Sequence, residues 1–136
     1  MFERILVPAD LTDRNRPAVE MASKLLRPAG TLHLLHVIEL IPGFTVEEES
    51  DFYSRLEAAA TRHLQSLAAP LQSRGLSVEA KVAYGARAGT ILDEAARVAA
   101  DLIAIQSHRV TAGSDGFSTL SYQVGIVAPC PVLLVK

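Results

Sequence analysis

Five short apolar runs, four of them largely unbroken by polar alternation, set the tightest limit on what this chain can fold into. They lie at residues 4–8, 31–38, 77–84, 102–106 and 132–135, and only the third is broken up by charge. A strand with one wet face alternates apolar and polar side chains, whereas an unbroken run fits a strand covered on both faces. Between the runs the apolar spacing changes to three and four, the period of a helix. The first helix is expected to start near Asn15, with Pro17 in its first turn, and to bury Ala18, Met21, Ala22 and Leu25 before Pro28 and Gly30 end it. The second carries a stripe of Phe52, Leu56, Ala60, Leu64 with His63 beside it, Leu67 and Leu71, and Gly75 stands where a left-handed C-cap belongs. The third, over 88–100, presents Ile91, Leu92, Ala95, Ala96 and Ala99. The fourth, over 118–127, is weaker, since Gly125 costs about 1 kcal/mol relative to Ala inside a helix. Pro129 and Pro131 stop it.

Strands alternating with helices imply right-handed crossovers and an α/β fold, a five-stranded, doubly wound parallel sheet with four helices on both faces. Sheets of this kind take ligands beyond the carboxyl ends of the strands, where strand order reverses. The segments expected at that edge are 8–13, 37–43, 84–89 and 106–119. The 136 residues suit one domain, 1–136. A net charge of −2 offers no field to gather nucleic acid or an anionic membrane. The opening residues carry charge too early for a signal peptide, and no apolar run approaches spanning length, so a cytoplasmic protein is expected. Cys130, the one cysteine, can form no disulfide within the chain and reads as a small buried hydrophobe between Pro129 and Pro131.

The polar residues give no strong chemical constellation. Asp10, just past the first strand, suits contact with a ligand hydroxyl and equally suits capping of the next turn. His33 and His36 fall on opposite faces of one strand and cannot share a metal. His36 and His108 end strands with the first strand between them, and no Cys or second carboxylate completes a coordination shell. No metal site is expected. Ser107 and His108 with Asp10 or Asp101 fail as a hydrolytic triad, because adjacent side chains on a strand diverge and the G-x-S-x-G elbow is absent. No catalytic residue is expected, and the chain reads as not an enzyme. Glu47, Glu48, Glu49 and Asp51 mark a solvated helix entrance, where negative charge favours the dipole. Arg14 and Arg16 stand where they can help hold an anion or simply face solvent.

Several segments, weak singly and specific in this order, resemble the universal stress protein family: ILVPADLT at 5–12, LLHVIE at 34–39, Gly85 with ILDEA at 91–95, ADLIAIQSH at 100–108, and APCPVLLV at 128–135. The likeness covers essentially the whole chain. It implies strand order 3-2-1-4-5, homodimeric assembly and, in one subclass, ATP or a related nucleotide at the switch point. That subclass carries G-x-x-G-x9-G-[ST]; here Gln106 and Arg109 replace the first two glycines and Ser118 stands near the third, with Thr119 after it. The loop is also one residue shorter. The resemblance makes Asp10 the residue that meets adenosine, with Pro8 and Val37 around the base. The candidate nucleotide site is therefore Pro8, Asp10, Val37, Gln106, His108, Arg109, Ser118 and Thr119. Phosphate cradles need residues without Cβ so that backbone N–H groups reach the anion, which Gln106 and Arg109 do not allow. Arg109 can instead meet a phosphate through its guanidinium.

The expectation is a non-enzymatic regulatory or stress-response homodimer acting on an unknown protein partner, with no cofactor and with ATP binding weak or lost. The alternative is an ATP-binding regulator of the same fold. In the implied strand order the third and fifth strands are the edges. Glu79 and Lys81 charge the third, while Val132, Leu133, Leu134 and Val135 carry no charge, so the last strand is the expected dimer edge.

Overall fold

The computed structural model describes residues 1–43, 45, 47, 49–107 and 120–136. Strands β1 (Phe2–Pro8), β2 (Leu26–Ile38), β3 (Ser77–Tyr84), β4 (Leu102–Gln106) and β5 (Val132–Val135) form one sheet in the order β3-β2-β1-β4-β5. Every pairing is parallel. Helices α1 (Arg16–Leu25), α2 (Ser50–Ser73), α3 (Arg87–Arg97) and α4 (Leu120–Val127) make the crossovers, and a 3₁₀ turn, Asp13–Asn15, leads into α1. This is the expected doubly wound α/β fold with the expected strand order.

The pleat sorts each strand into two cores. Ile5, Val7, Leu32, Leu34 and Ala104 face α1 and α2, meeting Ala18, Ala22, Leu64, Leu67 and Leu71. Leu6, Leu35, Val37, Ile103 and Ile105 face α3 and α4, meeting Ile91, Ala95 and Val124. Cys130 is half-buried and packs against this second core. Burial, with the charge of Asp101, pushes its thiol pKa up, away from thiolate chemistry. No helix among the described residues is long and apolar enough to cross a membrane.

The structure corrects several details. β2 starts at Leu26 rather than 31, so Pro28 and Gly30 lie within a strand. The pairing Phe2↔Leu26 is followed by Arg4↔Thr31, a bulge that absorbs the extra residues, and Ala29 takes φ 70° there. A Cβ on Gly30 would stand 2.8 Å from the Glu3 carbonyl oxygen, which explains the glycine. On α2 the buried aromatic is Tyr53, while Phe52 is exposed. Tyr53 also accepts the Ile41 N–H through its hydroxyl, 2.8 Å, so rotating it inward satisfies a backbone donor as well as the core. On α1, Val19 is buried and Met21 exposed. Gly75 has φ +86° and the end of α2 is a Schellman turn, with Leu76 N–H to Leu71 O and Gly75 N–H to Gln72 O. α3 stops at Arg97, short of 100, because Ala99 enters the left-handed region at φ 54°.

The least expected core residue is Glu94, on the sheet-facing side of α3 and 6% exposed. Its Oε1 accepts from Lys81 Nζ at 3.1 Å and Arg97 Nε at 2.8 Å, and Oε2 accepts from Arg97 Nη2 at 2.6 Å. α3 is thereby tied to the charged edge strand β3. The Arg97 hydrogen bonds lead this effect; burial opposes them, Lys81 adds to them, and the carboxyl falls from an ordinary 4.5 to about 2. A carboxyl lowered on folding stabilises the protein above its ordinary pKa and loses that contribution as pH falls toward its folded value. Glu94→Gln is expected to lower unfolding free energy by about 1–3 kcal/mol at neutral pH, at the low end because Lys81 and Arg97 are half exposed. Urea titrations at pH 7 and between pH 4.5 and 2 check this: the deficit of the variant should shrink across the acid window.

Candidate functional site

β1, β2 and β4 end together at the carboxyl edge, and strand order reverses between β1 and β4. A cleft opens there, with a cavity volume of about 80 Å³. Its apolar wall is Pro8, Leu35, Val37, Ile91, Ile105 and Leu120; its polar wall is Asp10, Asn15, His36, Arg87 and Gln106. Four expected residues, Pro8, Asp10, Val37 and Gln106, are thus brought to one cleft. His108, Arg109, Ser118 and Thr119 lie outside the described residues.

The chain leaving β1 is held before it reaches α1. Ala9 N–H continues the strand pairing onto Leu35 O, 2.8 Å. His36 Nδ1 donates to Ala9 O at 2.8 Å, and His63 Nε2 on α2 donates to Thr12 O at 3.1 Å. Since a carbonyl only accepts, each histidine carries a proton on the nitrogen so engaged. His33, on the other face of β2 as expected, lies with Nδ1 3.4 Å from Glu79 Oε2.

Between these anchors sits Asp10. Its Oδ1 accepts Thr12 N–H at 2.9 Å, the Thr12 hydroxyl and Asn15 Nδ2 at 2.7 Å. Asn15 is 4% exposed, and its amide also donates to Asp10 O and Thr12 O. Burial works against charge on Asp10, but the bonds from Thr12 and Asn15, with the Arg14 guanidinium, outweigh it and hold the carboxyl below its ordinary range. Asp10 therefore orders its own turn, as the capping reading supposed, and also lines the cleft.

Gln106 departs from the picture of a side chain obstructing a phosphate space. Its Oε1 accepts the Ala18 N–H at 2.9 Å, and its Nε2 donates to Val135 O at 3.1 Å. Ala18 is in the first turn of α1, where N–H groups lack helical partners and form the positive end of the dipole. Arg16 N–H bonds Asp13 O and Pro17 has no N–H, so the donors at the start of α1 are taken up within the chain.

Asn15 and Arg87 were not singled out from the sequence. Asn15 looked like a helix-start residue, and the only sign of more was its spacing of five from Asp10. Arg87, in the first turn of α3 and paired with Glu39 at 3.4 Å, follows Gly85 as a solvent-exposed arginine usually would. Asp101 sits at the opposite end of β4 from Ser107, with its carboxylate on the N–H groups of Glu3 and Arg4 at 2.8 and 2.9 Å. Among the described residues no three His, Cys, Asp or Glu side chains gather as metal ligands would.

The sequence profile of the Universal stress protein family matches residues 1–136. Universal stress protein Sll1654 of Synechocystis is 29% identical over 137 residues, spanning 99% of this chain and 86% of that protein. Among solved structures, the hypothetical protein MJ0577 superposes with a TM-score of 0.82 at 24% identity, covering 100% of this chain and 96% of the other. A universal stress protein family protein of Arabidopsis thaliana with AMP bound gives a TM-score of 0.71 at 22% identity, covering 98% and 90%. These two likenesses are of fold.

Gln106→Ala removes both amide bonds and leaves the Ala18 N–H without its acceptor. The expected cost is about 1–3 kcal/mol in urea unfolding, with faster hydrogen exchange at Ala18. An unchanged exchange rate there would refute the role given to this side chain.

Proposed function

The chain belongs to the universal stress protein family, and we propose that within it this protein is a non-enzymatic, cytoplasmic regulator acting through protein contacts. Its cleft takes an adenosine moiety and binds ATP weakly. The carrying observation is the hydrogen bond from Ala18 N–H to Gln106 Oε1: where a glycine would leave backbone donors open to an anion, an amide oxygen uses one. The apolar wall formed by Leu35, Val37, Ile91 and Ile105 suits a flat heteroaromatic ring. Asp10, kept ionised, suits a hydroxyl donor. AMP in the Arabidopsis relative supports this ligand class. The second reading, an ATP-regulated protein, is favoured by the same relative and by Arg109, whose guanidinium suits a phosphate.

Calorimetric titration separates the two. The native protein is expected to bind adenosine at least as tightly as ATP, and Gln106→Gly/Arg109→Gly is expected to gain about tenfold or more for ATP. Micromolar or tighter ATP binding by the native protein would establish the second reading instead.

We further propose a homodimer formed by antiparallel pairing of β5 with its two-fold mate. β3 is armed with Glu79, well exposed, and Lys81, half exposed, whereas β5 has no charge and presents Leu134 at 41% exposure. Beside it α4 exposes Tyr122, Ile126 and Val127. Light scattering at micromolar concentration is expected to give a dimer, and Leu134→Glu a folded monomer. A dimer unchanged by this substitution would move the interface elsewhere.

A further inference from the structure

We propose that the chain leaving β2 and the first turn of α2 form a docking face for a basic, amphipathic segment of another protein. This rests on the reading above that the protein acts through protein contacts, and it names the surface and the kind of partner. Leu40, Ile41 and Phe52 are 42%, 41% and 43% exposed. A single exposed apolar side chain means little, but Ile41 and Phe52 are brought together by a buried one. Tyr53, 1% exposed, takes the Ile41 N–H on its hydroxyl at 2.8 Å, and its ring meets Phe52 edge-on with centroids 5.3 Å apart. The same ring meets Tyr84 edge-on at 6.0 Å, and the Tyr84 hydroxyl donates to Glu57 Oε2 at 2.7 Å. The chain after β2 is thus fastened to α2 before any partner arrives, which lowers the ordering cost of binding.

Charge decides what covers this face. Residues 39–54 contain Glu39, Glu47, Glu48, Glu49 and Asp51, five of the chain's 15 acidic residues, and none of its 13 basic ones. Glu47 and Asp51 are exposed and Glu49 is half-buried. Glu39 pairs with Arg87 at 3.4 Å, and Arg55, past the first turn of α2, is the next basic residue along the chain. Acid at the start of α2 favours the helix dipole, but that does not account for the apolar side chains beside it. A two-fold contact between copies would set this patch against itself, acid against acid. The face of α4 has no such repulsion, since Ile126 and Val127 are exposed on a helix without a charged residue. Anionic membranes and nucleic acids are repelled by the same carboxylates. The complement is a protein segment whose apolar side chains seat on Leu40, Ile41 and Phe52 while flanking lysine or arginine reaches Glu47, Glu49 and Asp51.

The probe is a fluorescein-labelled peptide of about 18 leucine and lysine residues, about five turns of helix, with the leucines along one face. Its controls are the same residues shuffled so that no face forms, and the leucine–glutamate counterpart. In anisotropy titrations the native full chain is expected to bind the leucine–lysine peptide about tenfold or more tightly than either control, and to lose affinity as salt rises. Ile41→Ser/Phe52→Ser and Glu47→Lys/Asp51→Lys are each expected to weaken binding by about tenfold or more, whereas Ile126→Ser/Val127→Ser leaves it within about twofold. Ile41 is tied to Tyr53 through its backbone N–H, which Ile41→Ser retains, and urea titration checks the fold of each variant. Native binding no tighter than the controls, or a folded Ile41→Ser/Phe52→Ser protein that binds as the native one does, overturns the proposal. The second arm places p-benzoylphenylalanine at Leu40 or at Ile126 in cells that make the protein, and crosslinked peptides are sequenced by mass spectrometry. Adducts at position 40 with basic, apolar segments of another protein are expected. Adducts with other proteins at position 126 alone overturn the docking face and leave the reading of protein contacts standing. Adducts at position 40 with a second copy of this chain overturn the partner in favour of self-association, and no adduct with another protein at either position counts against both the face and that reading.

Discussion

The enclosure of β1 is the constraint on which the carboxyl edge of this protein depends. Ile5, Leu6 and Val7 have no exposed surface, and the strand is paired to β2 on one side and to β4 on the other. A strand bonded along both edges and covered on both faces has no low-cost displacement open to it. Pro8, Ala9 and Asp10 therefore emerge from a fixed point. β4 gains a further tie at its start, where Asp101 N–H meets Arg4 O and its carboxylate takes the N–H groups of Glu3 and Arg4.

From that fixed point the protein spends its polar groups on itself. Asn15, Thr12, His36 and His63 all bond the turn after β1, and among the described residues no buried side-chain nitrogen or oxygen lacks a partner. A turn so satisfied is preorganised, and it costs little to present a carboxylate there. The same economy reaches the start of α1, where the Gln106 amide oxygen accepts the Ala18 N–H.

Much of the fold was legible in the sequence because burial on both faces writes itself as unbroken apolar runs, and Gly75 announced the end of α2 through the φ it must adopt. Strand order came from the family resemblance. Less was legible where two adjacent residues of similar type compete for one position. Phe52 and Tyr53 fit the helical stripe nearly equally, and the Ile41 N–H that favours Tyr53 is a tertiary partner. Glu94 was not among the residues the third helix was expected to bury, since Lys81 and Arg97 reach it only once α3 lies against β3. At the site, Asp10 and Val37 could be placed by resemblance, but the direction of the Gln106 amide depends on α1 and β5 arriving at the end of β4. A side chain read as an obstacle is a tie between three elements.

That tie bears on how this sequence can change over evolutionary time. Gln106 is joined at once to Ala18 and to Val135, so replacing it with glycine removes two native bonds before any new ligand contact is gained. The step toward a glycine-rich loop is thus downhill in stability at first. It is eased where α1 or β5 has acquired another way to satisfy those groups. The order of mutations, and not merely their identity, governs how readily a chain with these two bonds can come to carry glycine at this position.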